Sequence, residues 1–138
     1  MIATQLYRIG NKLHQLKVPG AALLFKILIR LICNCAIDPR TKIGVGSHFA
    51  YGGIAVVIHK NCVIGKNVTI SQCVTIGGRS GIPETPKVGD NVYIGAGAVI
   101  LGNVTISDNA IIGAGAVVIN DVGQNEIWAG VPAKKITK

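Results

Sequence analysis

The sequence predicts an all-β protein: a parallel β-helix of hexapeptide repeats, with a short N-terminal helical segment before it and a C-terminal tail after it. Three observations carry this. Every sixth residue from Ile58 to Val118 is Ile or Val, eleven in succession. The residue four places after each is mostly small or apolar, as in Val68, Val74, Val92, Ala98 and Ala116. Glycine is frequent and uneven, with 16 of the 18 at or beyond Gly44, whereas aromatics make up only 4% of the chain. A period of six fits neither a helix nor a flat strand. It fits a coil with three flat faces, one hexapeptide to a face, in which the β-branched residue points into a narrow prism. Three hexapeptides close one turn, so stacked partners should lie eighteen apart, Ile58 on Ile76 and Ile94 on Ile112.

Along the chain, Ala3 to Lys17 reads as a first helix, with Leu6, Ile9, Leu13 and Leu16 at helical spacing. Pro19-Gly20 breaks it. Ala21 to Asn34 reads as a second helix whose narrow polar stripe is Lys26, Arg30 and Asn34. The open end of a β-helix needs covering, and packing over that end is the simplest role for these helices. Ile37, Ile43 and Phe49 are also six apart but three positions out of phase with Ile58, so extra residues sit in the stretch from Ala50 to Val57. A second irregular stretch, Gly77 to Pro86, holds two prolines and three glycines. It reads as a loop of six extra residues leaving one corner, with Ile82 matching the repeat by coincidence. The tail from Trp128 leaves the pattern and reads as a terminal strand or hook.

Charge is uneven. Residues 1–42 hold seven Lys/Arg and one acid, while residues 43–133 hold four Lys/Arg and five acids. A solvated helix face is the plain reading of the basic segment; phosphate, an anionic lipid surface or an acidic neighbour are the alternatives. No reading motif or aromatic platform accompanies the charge, so no nucleic-acid partner is expected. Cys33 and Cys35 lack zinc-ligand spacing, and Cys62 and Cys73 are expected at inward slots. Four reduced structural thiols and no signal peptide give a cytoplasmic expectation.

Four strings make the reading specific. They are Ile70-Ser71-Gln72-Cys73-Val74-Thr75-Ile76-Gly77-Gly78, Val88-Gly89-Asp90-Asn91-Val92-Tyr93-Ile94-Gly95-Ala96-Gly97-Ala98, Ile112-Gly113-Ala114-Gly115-Ala116 and Ala129-Gly130-Val131-Pro132-Ala133-Lys134. With them the chain resembles the hexapeptide-repeat acyltransferases with a left-handed parallel β-helix, in the serine acetyltransferase branch and its capsule and exopolysaccharide O-acetyltransferase relatives. The resemblance divides the chain into a helical segment, 1–36, and a hexapeptide-repeat acyltransferase domain, 37–138. It implies a left-handed winding, a homotrimer, acetyl-CoA bound between neighbouring subunits as co-substrate, and no metal. It implies acetyl transfer to serine, in cysteine biosynthesis. A sugar hydroxyl of a surface polysaccharide is the alternative acceptor, and a catalytically inactive trimeric scaffold is the alternative of a different class. A weak membrane-surface contact through the basic helices would suit the sugar acceptor.

The same resemblance nominates site residues. Gly78, Ala96 and Ala114 would present bare backbone to the coenzyme, and Lys134, or its neighbour Lys135, would meet its ribose phosphate. Serine acetyltransferases carry an Asp-His pair before a Gly-Ile-Val-Val-like segment and a second His before Pro-Lys in the long loop. Here those places read Ala50-Tyr51 and Thr85-Pro86-Lys87. Acyl transfer to a hydroxyl needs a base, usually histidine, and the chain has His14, His48 and His59. His59 is expected as that base, because one turn above it stands the Gly77-Gly78 corner where the loop leaves; His48 is the other choice. Tyr51 is expected to help bind the acceptor, and Glu84 either orients His59 or is a solvated acid.

Overall fold

The computed structural model describes residues 1–136. Helix α1 (Ile2–Gln15) and helix α2 (Ala21–Cys33) form an antiparallel hairpin around Gly20, which takes the left-handed backbone conformation at φ 75°. The prism follows in four turns. The first is β1 (Ala36–Ile37), β2 (Lys42–Ile43) and β3 (His48–Phe49); the second is β4 (Val57–Ile58), β5 (Val63–Ile64) and β6 (Thr69–Ile70). The third is β7 (Thr75–Gly77), β8 (Lys87–Val88) and β9 (Tyr93–Ile94); the fourth is β10 (Val99–Leu101), β11 (Thr105–Ile106) and β12 (Ile111–Ile112). A partial turn adds β13 (Val117–Val118), and the chain ends in β14 (Ile127–Gly130) and β15 (Ala133–Lys135).

Strands of successive turns pair in parallel into three faces. Face one holds β1, β4, β7, β10 and β13; face two holds β2, β5, β8 and β11; face three holds β3, β6, β9, β12, β14 and β15. The register follows the repeat. Ile58 stacks on Ile76 and Ile94 on Ile112, eighteen apart. The spacing rises to 24 where Ile64 meets Val88 and Ile76 meets Ile100, which places six extra residues in the loop after β7. It is 21 where Ile37 meets Ile58, which places three extra residues beside the short 3-10 turn Ala50–Gly53. Ile82 stands outside the columns, in a small loop bridge with Arg79. The inward Ile and Val side chains are essentially fully buried. Each contributes about 1.5–3 kcal/mol by leaving water, in a cross-section that fixes its volume.

Corners repeat as strictly as faces. The corner before face three turns on left-handed residues Gly46, Asn67, Asn91, Asn109 and Asn125, and each Asn amide bonds to the turn before. Asn tolerates this conformation better than other side-chain-bearing residues. Cys73, with φ 61°, holds the same role at the corner before face one, so it is exposed and not inward. The side chain that fills the inward slot is Val74, one residue on. Cys62 does point inward, as expected.

Helix α1 closes the open end. The Arg8 guanidinium donates to the carbonyls of Ile43 (2.7 Å), Gly44 (2.6 Å) and Ser47 (3.0 Å), groups that a missing earlier turn would otherwise have paired. Tyr7 Oη donates to the Thr41 carbonyl, and Asn11 Nδ2 to the Pro39 carbonyl. The residues α1 buries fully are Ala3, Tyr7 and Gly10; of the Leu/Ile stripe, Leu6 packs partly against the core, while Ile9 and Leu16 are exposed. Gly10 sits where α2 crosses, since a Cβ there would lie 2.6 Å from Phe25 Cβ. At the other end Trp128 stacks on Ile112, and β15 folds back antiparallel on β14 to form the hook. No helix among the described residues is long and apolar enough to cross a membrane.

Candidate functional site

A groove of about 640 Å³ lies between α2 and the edge that joins face one to face two. Its lining includes the aliphatic residues Ala36, Ile37, Val57, Ile58 and Ile76. Lys26, Arg30, Asp38, Arg40, His59 and Lys60 rim it, four cations with one carboxylate and one imidazole. Asp38 is almost wholly buried, and its Oδ1 accepts from Arg40 N and Nε, both at 2.9 Å, while Oδ2 accepts from Nη2 at 2.7 Å. Lys26 Nζ stands 3.8 Å from Oδ2. Burial is the largest influence on Asp38 and opposes its ionisation. The hydrogen bonds and charge of Arg40, with the charge of Lys26, outweigh it and hold the carboxyl below the usual range. Asp38 engages Arg40 and Lys26, whereas Arg30 and Lys60 form no ion pair among the described residues. The groove therefore suits an anionic group attached to an apolar body.

His59 stands at this edge because β4 ends on Ile58 and the chain must turn. Its backbone N–H donates to the Ile76 carbonyl at 2.8 Å, so it lies beside Gly77 as expected. The ring is exposed, and its Nδ1 accepts the Asn61 backbone N–H at 3.1 Å. No hydrogen bond ties Glu84 to it among the described residues; Glu84 is an exposed loop acid. Gly78 leaves the prism at the same edge with open space where a Cβ would be. His48 lies on face three beside Thr69, away from this groove, and His14 is exposed on α1.

The other nominated residues occupy a different edge, the one joining face three to face one. Tyr51 projects there from the 3-10 turn and is 75% exposed. Ala96 and Ala114 follow β9 and β12 at the same edge. Neither of their N–H groups donates to a backbone carbonyl among the described residues, and a Cβ on Gly97 or Gly115 would meet nothing within 4 Å. Those bare donors can receive an amide-bearing ligand. Gly95 serves another purpose: a Cβ there would lie 2.6 Å from Ala114 N, so this glycine lets adjacent turns approach. Lys134 is exposed on β15 beside Ala129, while Lys135 pairs with Glu126 at 3.3 Å.

One chain thus sets His59 and Gly78 along one edge of face one, and Tyr51, Ala96 and Ala114 along the opposite edge. The basic groove was not read from the sequence, since its rim comes from α2 and two successive turns. The one available signal was Lys26 and Arg30, one helical turn apart in an otherwise apolar helix.

Buried thiols are inert here. Burial pushes Cys62 up to about 11 and Cys35 up to about 12, leaving neither as a nucleophile at neutral pH. No group of three or more metal-binding side chains exists among the described residues.

The repeats of residues 85–120 match the bacterial transferase hexapeptide (six repeats) family. Over 98 residues the chain is 42% identical to a serine acetyltransferase of Staphylococcus aureus, covering 70% of this chain and 46% of that protein. The fold superposes on soybean serine acetyltransferase complexed with serine at a TM-score of 0.88 and 38% identity, over 97% of this chain and 56% of that one. The chain carries hexapeptide repeats and is similar to serine acetyltransferases. A serine acetyltransferase in complex with CoA also superposes, with a TM-score of 0.86 and 39% identity over 97% of this chain and 55% of that chain. This hexapeptide-repeat chain spans about half the length of the curated relatives it matches.

Proposed function

We propose that the chain is an acetyl-CoA-dependent O-acetyltransferase acting on a small hydroxyl acceptor, with L-serine the first acceptor to test. The observation that carries this reading is the match over nearly the whole chain to solved serine acetyltransferases, one bound to CoA and one to serine. In this reading both substrates bind before transfer. His59 takes the acceptor hydroxyl proton as the oxygen attacks the thioester carbonyl carbon. The carbon–sulfur bond then breaks, and the departing thiolate recovers a proton from His59. In the arrangement described above, Nδ1 accepts the Asn61 amide, so the neutral ring carries its proton on Nε2. Action as a base therefore starts with rotation of the exposed ring off that amide. A backbone N–H at Gly78 faces the developing oxyanion.

The edge arrangement supports a homotrimer. Pantetheine amides would meet Ala96 and Ala114 of one protomer while the thioester reaches His59 and Gly78 of the next. Lys134 would meet the ribose phosphate, and Tyr51 the acceptor. Four unpaired cysteines fit a cytoplasmic setting, where acetyl-CoA is supplied.

A sugar hydroxyl is the second reading, favoured by one observation: Ala50-Tyr51 and Thr85 stand where serine acetyltransferases carry histidines. Thiol release from acetyl-CoA separates the readings. Release with L-serine supports the first, and release only with sugar acceptors supports the second. Failure to bind coenzyme at all leaves a scaffold and refutes both.

A further inference from the structure

The α1–α2 hairpin exposes an apolar surface that the prism does not use. On α2, Leu23, Leu24, Ile27 and Leu31 share one face, with Leu31 77% exposed. On α1, Ile9 and Leu16 lie two turns apart on one face, with Leu16 66% exposed. Scattered exposed leucines need no explanation, but a contiguous patch of this kind marks a contact surface.

Its charge indicates what covers it. Residues 1–37 contain Arg8, Lys12, Lys17, Lys26 and Arg30 and no acid. Arg8 is committed to the first-turn carbonyls. Lys26 faces Asp38 across the groove, at 3.8 Å. Lys12 lies between Ile9 and Leu16 at helical spacing, Lys17 follows the end of α1, and Arg30, which forms no ion pair among the described residues, follows Ile27 by three. A second copy placed face to face on this surface would bring cations against cations with no carboxylate on either hairpin to pair them. An anionic lipid surface satisfies both features, taking the leucines into the headgroup boundary and the lysines against phosphate. Helix α2 has 13 residues, too few to span a bilayer, and lying in the interface plane requires no greater length.

We propose that the hairpin docks the protein on anionic membranes, with the α2 stripe inserted and Lys12, Lys17 and Arg30 held against lipid phosphates. The proposal stands apart from acetyl transfer, because docking requires neither coenzyme nor acceptor.

The test is co-sedimentation of the full chain with vesicles of phosphatidylcholine alone and of phosphatidylcholine mixed with phosphatidylglycerol, at low and high salt. Binding to the mixed vesicles, weakened at least about tenfold on neutral vesicles and reduced by salt, is the expected result. Leu24→Asp with Leu31→Asp should abolish binding, and Lys12→Glu with Lys17→Glu should weaken it about tenfold or more, both with unchanged circular dichroism. No binding to anionic vesicles, or equal binding to both kinds, would overturn the proposal. So would a wild-type assembly that is larger on size exclusion than the Leu24→Asp, Leu31→Asp variant, since the stripe would then be an interface between copies.

Discussion

Gly95 lies against Ala114 so closely that a Cβ on the glycine would sit 2.6 Å from the alanine's backbone nitrogen. Two residues along, Gly97 has open space around the same atom but holds φ at 71°. The two positions therefore need glycine for different reasons, one steric and one conformational. Gly95→Ala should cost about 3 kcal/mol, because backbone must shift. Gly97→Ala should cost about 1 kcal/mol, from the left-handed conformation alone. Urea denaturation of the two variants checks the order; equal losses would contradict it.

Asp38 contributes stability through Arg40 with a defined pH dependence. Its carboxyl is held below the ordinary 3.8 in the folded chain. The stability this adds is fully present above the unfolded value and is lost as pH falls through the folded one. Both cations are about half exposed, so solvent screens the pair, and Asp38→Asn should cost about 1 kcal/mol at neutral pH. That difference should hold down to about pH 5 and close in more acidic solution, as read from denaturation midpoints across pH.

Cysteine reactivity should sort by position. Cys73 is exposed at a corner, whereas Cys35 and Cys62 are buried with raised thiol pKa values. A thiol reagent at neutral pH should label Cys73 first and leave Cys35 and Cys62 untouched until denaturant is added. Prompt labelling of Cys62 would contradict the inward placement.

His59→Ala should lower thiol release from acetyl-CoA by at least about a hundredfold, as loss of a general base does. Because the ring is exposed and bonds only to the Asn61 amide, thermal stability should barely change. Wild-type turnover in this variant would remove the base assignment.

The prism was legible because its inward slot is the most constrained position in the chain. Ile and Val fill the narrow columns at nearly every turn, with Phe49 and Trp128 at the ends of face three, so Ile58, Ile76 and Ile100 announce themselves despite the inserted loop. The loop was legible through its Pro and Gly content. What α1 buries was not: Ala3, Tyr7 and Gly10 are weak signals beside Leu6, Ile9, Leu13 and Leu16, and tertiary contact decides between the two faces. Cys73 was misplaced because a small residue next to an inward slot looks the same as one inside it. His59 could be placed at the loop's corner by counting eighteen residues. The cations around it could not, because Lys26, Arg40 and Lys60 meet only after α2 folds across the first two turns.

The most direct measurement is a crystal structure with coenzyme A bound. The account predicts the sulfur at a boundary between protomers, with His59 and Gly78 of one chain on one side and Ala96 and Ala114 of its neighbour on the other. Coenzyme held within a single protomer, or with its sulfur facing a side chain remote from His59, would contradict it.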